Sequence, residues 1–494
     1  MNNKKYSVSD LLLFYESPYA FWCKTVNSLI DKGKADESRR IPETESNVYS
    51  EYFIKKTQTH EINLKDHYLI KKEMTITDFS NNGTFENTLK SIKNKSQVIY
   101  QGSIEGNEFT GRPDFLVLNS NNKYDIVDAK FSKNIKTKYA LQLYCYGYLL
   151  NEIEGYFPEM SSIYLIGDQF IEVQIQDYAE IFSELKSKFF KFVNNFDIDD
   201  APHPFKNEYS NNVFADQIKE VWFEKESLEL IGGITYKQVK ELNQFGINTL
   251  KELVNCEVNP SNISNKTFSK LYKKANALKK SNKEIFFEIN KENVEDLYAI
   301  EALEHGDLYI DFEWYPYSGE LDNFFYLFGY FQNKKEESSF GYLWSDREYD
   351  EERNVKQFVD FLINHNVKYP DAKIYHYNHS EKTELLKLCE KYDYKNNKIK
   401  KIIDNSFVDL LKPIRNSFIM GLTSNSLKEV EKVLNIERIE EVQSGGQSMQ
   451  YFENFYFEDN WDLKDEIINY NEQDCKNLYV LHKWLVNQKY LLKT

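Results

Sequence analysis

Residues 111–131 read GRPDFLVLNSNNKYDIVDAKF, and this stretch decides how the first part of the chain folds. Two apolar runs, FLVL and YDIVDA, flank the polar turn NSNNK, which is the pattern of two adjacent strands. Asp114 reads as ending one strand, and Asp128 and Lys130 fall two residues apart on the next. Side chains alternate along a strand, so positions 128 and 130 project from the same face, and pairing brings Asp114 beside them. Carboxylates at such a point hold magnesium or manganese, and a lysine orients or deprotonates an attacking water and stabilises developing charge, which is what phosphodiester hydrolysis needs. The carbonyl of Ala129 offers a further oxygen. An exposed hairpin with scattered charges would carry the same triplet, so the triplet alone does not decide the chemistry.

Twelve residues beyond Lys130, KYALQLYCYGYLL places Gln142 and Tyr146 four apart, on one helical face. Together these residues resemble the RecB-type branch of the PD-(D/E)XK nucleases, whose helix after the catalytic strand carries QxxxY. The resemblance implies a restriction-endonuclease-like α/β domain with Asp114, Asp128, Lys130, Gln142 and Tyr146 as its catalytic set. It also implies an acidic metal ligand on an early helix. Glu51 in NVYSEYFIKK is the candidate, with Ser50 where relatives often have histidine. Some relatives hold an iron-sulfur cluster through a cysteine near the start; here SPYAF has Ser17, and no such cluster is expected.

Further along, LYIDFEWY alternates so that Asp311 and Glu313 share one strand face. An acid pair of this kind is common on half-exposed strands. The final helical stretch, DLKDEIINYNEQDCKNLYVLHKWL, adds Tyr470 and Asp474, again four apart. The combined pattern resembles the ribonuclease H-like 3′-to-5′ exonucleases of the DEDD type, in the subgroup with tyrosine in the last motif. That resemblance implies a mixed-sheet domain, two magnesium ions among four carboxylates, and a tyrosine that positions water. The fourth acid should follow AKIYHYN, where Asn378, His379, Ser380 and Glu381 stand; Glu381 takes the role, a glutamate for the usual aspartate, with Asp409 in reserve as a solvated helix-start carboxylate. His376 and His379 lack the partners of a zinc site. Ser426 with Glu429 three residues on reads as a helix cap with a purely structural purpose. Trp222, Trp314 and most tyrosines read as core or rim packing.

At 494 residues the chain needs more than one core. The reading is α/β in three parts: a nuclease domain over 1–200, a linker and small helix-hairpin-helix-like connector over 201–285, and an exonuclease domain over 286–494. In the connector, Gly232, Gly233 and Gly246 sit in turns that would let backbone N–H groups approach a phosphate, though a plain helical spacer explains the same pattern. The order of parts resembles bacterial RecB-type nucleases with a C-terminal DEDD domain. Relatives are often joined to helicases, so a helicase here would be a separate partner.

A net charge of −16 argues against an extended basic surface for gripping duplex, while leaving room for a local groove. Five cysteines without a CxxC pair suggest neither disulfides nor a zinc site. No long apolar run predicts a membrane span, and the first residues lack a signal-peptide pattern, so the expected location is cytoplasmic. The expected function is metal-dependent hydrolysis of nucleic acid, DNA more than RNA, in repair or defence. Two alternatives stay open: one active centre of the two, or a nucleic-acid binding protein that keeps the folds without turnover.

Overall fold

The computed structural model describes residues 5–44, 50–210, 212–260, 262–281, 284–318, 322–334, 338–438, 442, 445–458 and 460–492. The side chains of residues 50–53, within the helix Ser50–Asp66, lie outside the described ones, and with them Glu51. The chain is mixed α/β and forms two compact units, Met1–Lys219 and Glu220–Thr494. No described helix is long and apolar enough to cross a membrane.

The first unit is built on a six-stranded sheet in the order Ile76–Asp78, Val98–Tyr100, Phe115–Leu118, Tyr124–Ala129, Met160–Leu165, Gln169–Gln174. Phe115–Leu118 and Tyr124–Ala129 pair antiparallel through the turn at 119–123, as the apolar runs predicted. Asn119 shapes that turn by accepting from the backbone N–H groups of Asn121 (2.9 Å) and Lys123 (3.1 Å). Alternation sorts the side chains. Leu116, Tyr124 and Ile126 pack with Leu141, Cys145, Tyr146 and Leu149 of the helix Thr137–Glu154, whereas Phe115, Val127 and Ala129 pack with Leu64, Tyr68 and Tyr164 on the other side. Asp128 therefore faces the Thr137–Glu154 helix.

The expected linker is docked rather than free. Lys206–Tyr209 forms a short helix, and Glu208, 5 % exposed, accepts from Ser17 Oγ at 2.7 Å and from the Phe205 N–H at 3.0 Å. Burial raises its carboxyl pKa. The acidic, proline-bearing composition of 197–212 hid this anchor, because one buried side chain leaves no periodic trace.

The second unit begins inside the expected connector. Its helices Tyr236–Gln244 and Leu250–Val254 each start with a reciprocal cap, Thr235 with Gln238 and Thr249 with Glu252, and Asn265–Lys280 follows. The glycines have packing reasons: a Cβ on Gly232 would lie 2.9 Å from the Leu422 carbonyl oxygen, and Gly233 and Gly246 have φ of +82° and +78°.

Beyond them, a five-stranded mixed sheet runs Ser339–Trp344, Asp322–Gln332, Leu308–Ser318, Ile374–His376, Phe407–Asp409; Asp322–Gln332 is antiparallel to both of its neighbours and the last two strands join in parallel. Leu308, Ile310 and Phe312 pack with Val355, Phe358 and Leu362 of the helix Glu348–Lys368. Tyr309, on the opposite face, packs with Cys475, Leu478 and Leu481 of the helix Leu463–Leu491. Asp311 and Glu313 share the face of Tyr309, so the sheet aims both at that helix.

Candidate functional site

In the second unit the long central strand and the long final helix create one acidic centre. Asp311, Glu313 and Asp474 each present a carboxylate oxygen, and these atoms lie within 4.8 Å of one another. Such a gathering of like charge needs support. Asn471, wholly buried one residue after Tyr470, donates from Nδ2 to Asp311 Oδ2 at 2.8 Å. Gly329 lies opposite Asp311 in the sheet, and a Cβ there would fall 1.7 Å from Asn471 Oδ1, so only glycine leaves room for this support. Tyr326 donates to Glu313 Oε2 at 3.4 Å and contacts Ser448 Oγ at 2.9 Å, its ring stacked on Phe452 at 4.0 Å.

The electrostatics follow from burial and crowding. Burial, then the Asp474, Glu313 and Glu381 charges, raise the Asp311 pKa well above the usual carboxylate range. Burial and the Asp474 charge push Glu313 up to about 8. Burial raises Asp474 too, opposed by the Arg438 guanidinium that pairs with its Oδ1. Burial and the Asp474 charge raise the Tyr470 hydroxyl, which stays protonated and able to donate.

Glu381 opens the helix Ser380–Lys391 and is 5 % exposed; its Oε1 accepts from Ser380 Oγ at 2.9 Å, and its Oε2 is buried without a hydrogen-bond partner among the described residues. It stands close enough to raise Asp311 yet outside the tight group of three. His376 Nδ1 lies 3.7 Å from it. Asp409 is half-buried and occupied elsewhere, its Oδ1 accepting from the Asn378 and Leu411 N–H groups, both at 2.9 Å. It pins the turn ahead of Glu381 and holds the first N–H of the helix Leu411–Ser417, a helix-start carboxylate that is half-buried rather than fully solvated. An all-oxygen donor set, crowded until its protons are held, with one orphaned carboxylate oxygen beside it, fits a hard divalent cation.

The first unit's acids are arranged differently. Asp114 stands just before the strand Phe115–Leu118 rather than at its end; its Oδ2 accepts from the Ala129 N–H at 2.9 Å and its Oδ1 from Gln101 Nε2 at 3.1 Å. Gln101 also donates to Glu61 and so bridges two carboxylates. Asp128, 1 % exposed, forms an ion pair with Lys130, and its Oδ1 has no hydrogen-bond partner among the described residues. Burial followed by the Asp128 charge raises Asp114 well above its ordinary pKa. For Lys130 burial alone would lower the value, but the Asp128 and Asp114 charges outweigh it and the net shift is upward. On the facing helix, Gln142 Nε2 donates to the Tyr146 hydroxyl at 2.9 Å, which donates to the Arg112 carbonyl at 3.3 Å. The orphaned Asp128 oxygen beside Asp114 and Glu61 also fits a cation.

Several of these residues escaped the sequence reading. Glu61 sits on the same helix as Glu51, ten residues further on, and the adjacent His60 is the local signal that marks it. His60 Nε2 hydrogen-bonds the Tyr164 carbonyl at 3.1 Å, so it braces that helix against the sheet. The helix Leu427–Val433 is capped by Ser426 as expected, but its purpose is not only structural: it carries Lys428 and Glu431 to the acidic centre. Arg438 and Gln101 gave no local pattern at all.

No curated protein and no solved structure matches the chain. A family model of the RNase H superfamily matches residues 308–486, a span that opens on the strand bearing Asp311 and Glu313 and reaches past Asp474. The second unit thus contains an RNase H-like domain.

Proposed function

We propose that the chain is a metal-dependent nuclease, and the observation that carries the reading is the Asp311, Glu313, Asp474 cluster inside an RNase H-like domain. Those three residues, with Glu381 alongside, would hold magnesium or manganese, which supplies charge neutralisation and Lewis acidity at a phosphate. The protein's own groups do the rest. Tyr470 holds the attacking water by its hydroxyl, Asn471 fixes Asp311, and Arg438 fixes Asp474. Water adds to phosphorus, the bond to the 3′ oxygen breaks, and the departing oxygen takes up a proton, releasing a nucleoside 5′-monophosphate. Action from the 3′ end of a single strand is the DEDD part of this proposal.

A second centre of RecB type, on a PD-(D/E)XK fold within the first unit, is supported by Asp114, Asp128, Lys130, Gln142 and Tyr146. We add Glu61 as its early-helix acid, since Gln101 ties Glu61 to Asp114. DNA is favoured over RNA on that resemblance, and a separate helicase would supply strands. For nucleic-acid contact at Gly232, Gly233 and Gly246, the support is a basic cluster: Lys274 Nζ donates to the Gly232 carbonyl, and burial with the Lys270 and Arg415 charges pushes Lys274 down to about 8. A single active centre, the one at Asp311, is the rival reading, favoured by the hydrogen bonds that already occupy both Asp114 oxygens.

The test is to incubate labelled single- and double-stranded DNA and RNA with magnesium or manganese, using the parent protein, Lys130→Ala and Asp311→Asn. Digestion lost in a variant that remains folded, as followed by circular dichroism, assigns that substrate to its centre. No digestion of any substrate with either metal would end the enzymatic reading.

A further inference from the structure

Arg438 and Lys428 are two cations at the acidic centre that neither motif contains. The Arg438 side chain is 8 % exposed. Its Nε and Nη2 donate to Glu431 at 2.7 and 2.5 Å, and Nη2 also reaches Asp474 Oδ1. Glu431 is itself fixed by Asn477 Nδ2 at 2.7 Å. This leaves Arg438 Nη1, which is buried and has no hydrogen-bond partner among the described residues. Lys428 Nζ is likewise buried and unpartnered among them. The two share one neighbour: the guanidinium lies 5.5 Å and the ammonium 5.4 Å from the centre of the Tyr470 ring.

Leaving a buried donor unmade is costly, and an ammonium more so, unless a ligand completes it. Two such donors meet around the tyrosine of a carboxylate cluster. A carboxylate cluster that binds only cations has no use for unpaired N–H groups. A phosphate between the carboxylates and these donors uses both.

Resting on the nuclease reading of the same centre, we propose that Arg438 Nη1 and Lys428 Nζ bind the non-bridging oxygens of the scissile phosphate. Glu431 and Asp474 hold the rest of the Arg438 fork, so its free N–H groups point one way. Neither residue exchanges a proton; their N–H groups donate to the oxygens on which negative charge grows as water adds to phosphorus. Lys428 and Arg438 are thus catalytic residues, and Glu431 is a positioning residue.

Lys428→Met is the sharpest probe, because Lys428 Nζ makes no hydrogen bond among the described residues that the substitution would unmake. Two measurements run on the full chain with manganese present: the Kd for thymidine 5′-monophosphate, and kcat and KM for release of the 3′-terminal nucleotide from a labelled single strand, repeated across a manganese titration. Lys428→Met should weaken mononucleotide binding and lower kcat/KM by about ten- to hundredfold, with the manganese midpoint unchanged. Arg438→Lys, which keeps the charge but loses the fork, should fall in the same direction. Parent-like binding and kinetics in Lys428→Met would overturn the proposal, as would a loss that extra manganese restores. Asp311→Asn in the same assay separates the two levels. If the parent shows no Asp311-dependent cleavage yet binds the mononucleotide through Lys428, the nuclease reading fails and the phosphate site stands.

Discussion

The two acidic centres solve the same electrostatic problem with different parts. At the first, the neutralising cation is Lys130, two residues from Asp128 on the same strand, and the pair forms as soon as the strand does. At the second, three carboxylates converge and the cation is Arg438, which is 36 residues from Asp474 in sequence and is anchored through Glu431. The first centre makes its ion pair by local structure, although Asp114 and Glu61 leave it rich in carboxylates as well. A centre that borrows its arginine is balanced only once the tertiary fold is complete, and it retains excess negative charge. Buried ion pairs are weak contributors while intact and costly when one partner is removed, so the two centres should respond in opposite ways to losing a charge.

The largest effect is expected at the first centre. Lys130→Ala leaves the Asp128 carboxylate buried and unpaired, and urea unfolding should show a loss of about 3–5 kcal/mol. A stability equal to the parent's would mean that Asp128 is not neutralised by Lys130.

A slightly smaller effect belongs to pH. His482, wholly buried on the same helix as Asp474, has its Nε2 on the Glu301 carbonyl at 2.9 Å and its Nδ1 on the Tyr309 hydroxyl at 2.8 Å. The carbonyl can only accept, so Nε2 carries the proton and Tyr309 donates to Nδ1. Burial pushes this histidine down to about 4. A depressed folded pKa means that the unfolded chain takes up the proton first, so this stability is present above about pH 6.5 and is lost as pH falls toward 4, by about 3 kcal/mol. Asp307, raised by burial to about 6, works in the opposite sense over part of that window, so the readout is the difference between parent and His482→Gln. The variant should show the shallower decline on acidification; equal slopes would contradict the assignment.

Each centre also has a glycine that makes room for a supporting residue. A Cβ on Gly329 meets Asn471 Oδ1 at 1.7 Å, and one on Gly111 meets Tyr146 Cε1 at 2.8 Å. Gly329→Ala should cost about 2 kcal/mol and lower Asp311-dependent cleavage about tenfold by displacing Asn471, whereas Gly111→Ala should act on Lys130-dependent cleavage alone. Loss of Lys130-dependent cleavage in Gly329→Ala, or of Asp311-dependent cleavage in Gly111→Ala, would mean that the two centres are not independent.

The smallest effect has the opposite sign. Asp311→Asn relieves the crowding at the second centre, and in EDTA it should gain about 1 kcal/mol of stability. A loss of stability would mean that the cluster is not repulsive.

These contrasts also explain what the sequence could say. Asp128 with Lys130, Asp311 with Glu313, and Tyr470 with Asp474 obey strand or helix spacing, and periodicity places each pair on one face without knowledge of the fold. Glu381 was found by its place after a strand. Acids on one long helix, such as Glu51 and Glu61, are not ranked by local spacing, because which of them meets Asp114 is set by tertiary packing; Gln101 ties Glu61 to it. Arg438, Glu431 and Lys428 lie on a segment whose cap looked self-sufficient, and Gln101 stands at a strand end with nothing around it to mark a role. The docking of Glu208 on Ser17 and the Tyr19 N–H was equally silent, being made by one side chain across about 190 residues of sequence.

The most direct test of the account is release of nucleoside 5′-monophosphate from a 3′-labelled single strand in manganese, comparing the parent with Asp311→Asn. Because that variant is expected to be at least as stable as the parent, lost activity cannot be laid to unfolding. Manganese-dependent release by the parent is expected, with a loss greater than about a hundredfold in Asp311→Asn. Release that persists undiminished in the variant would contradict a catalytic role for the Asp311, Glu313, Asp474 centre.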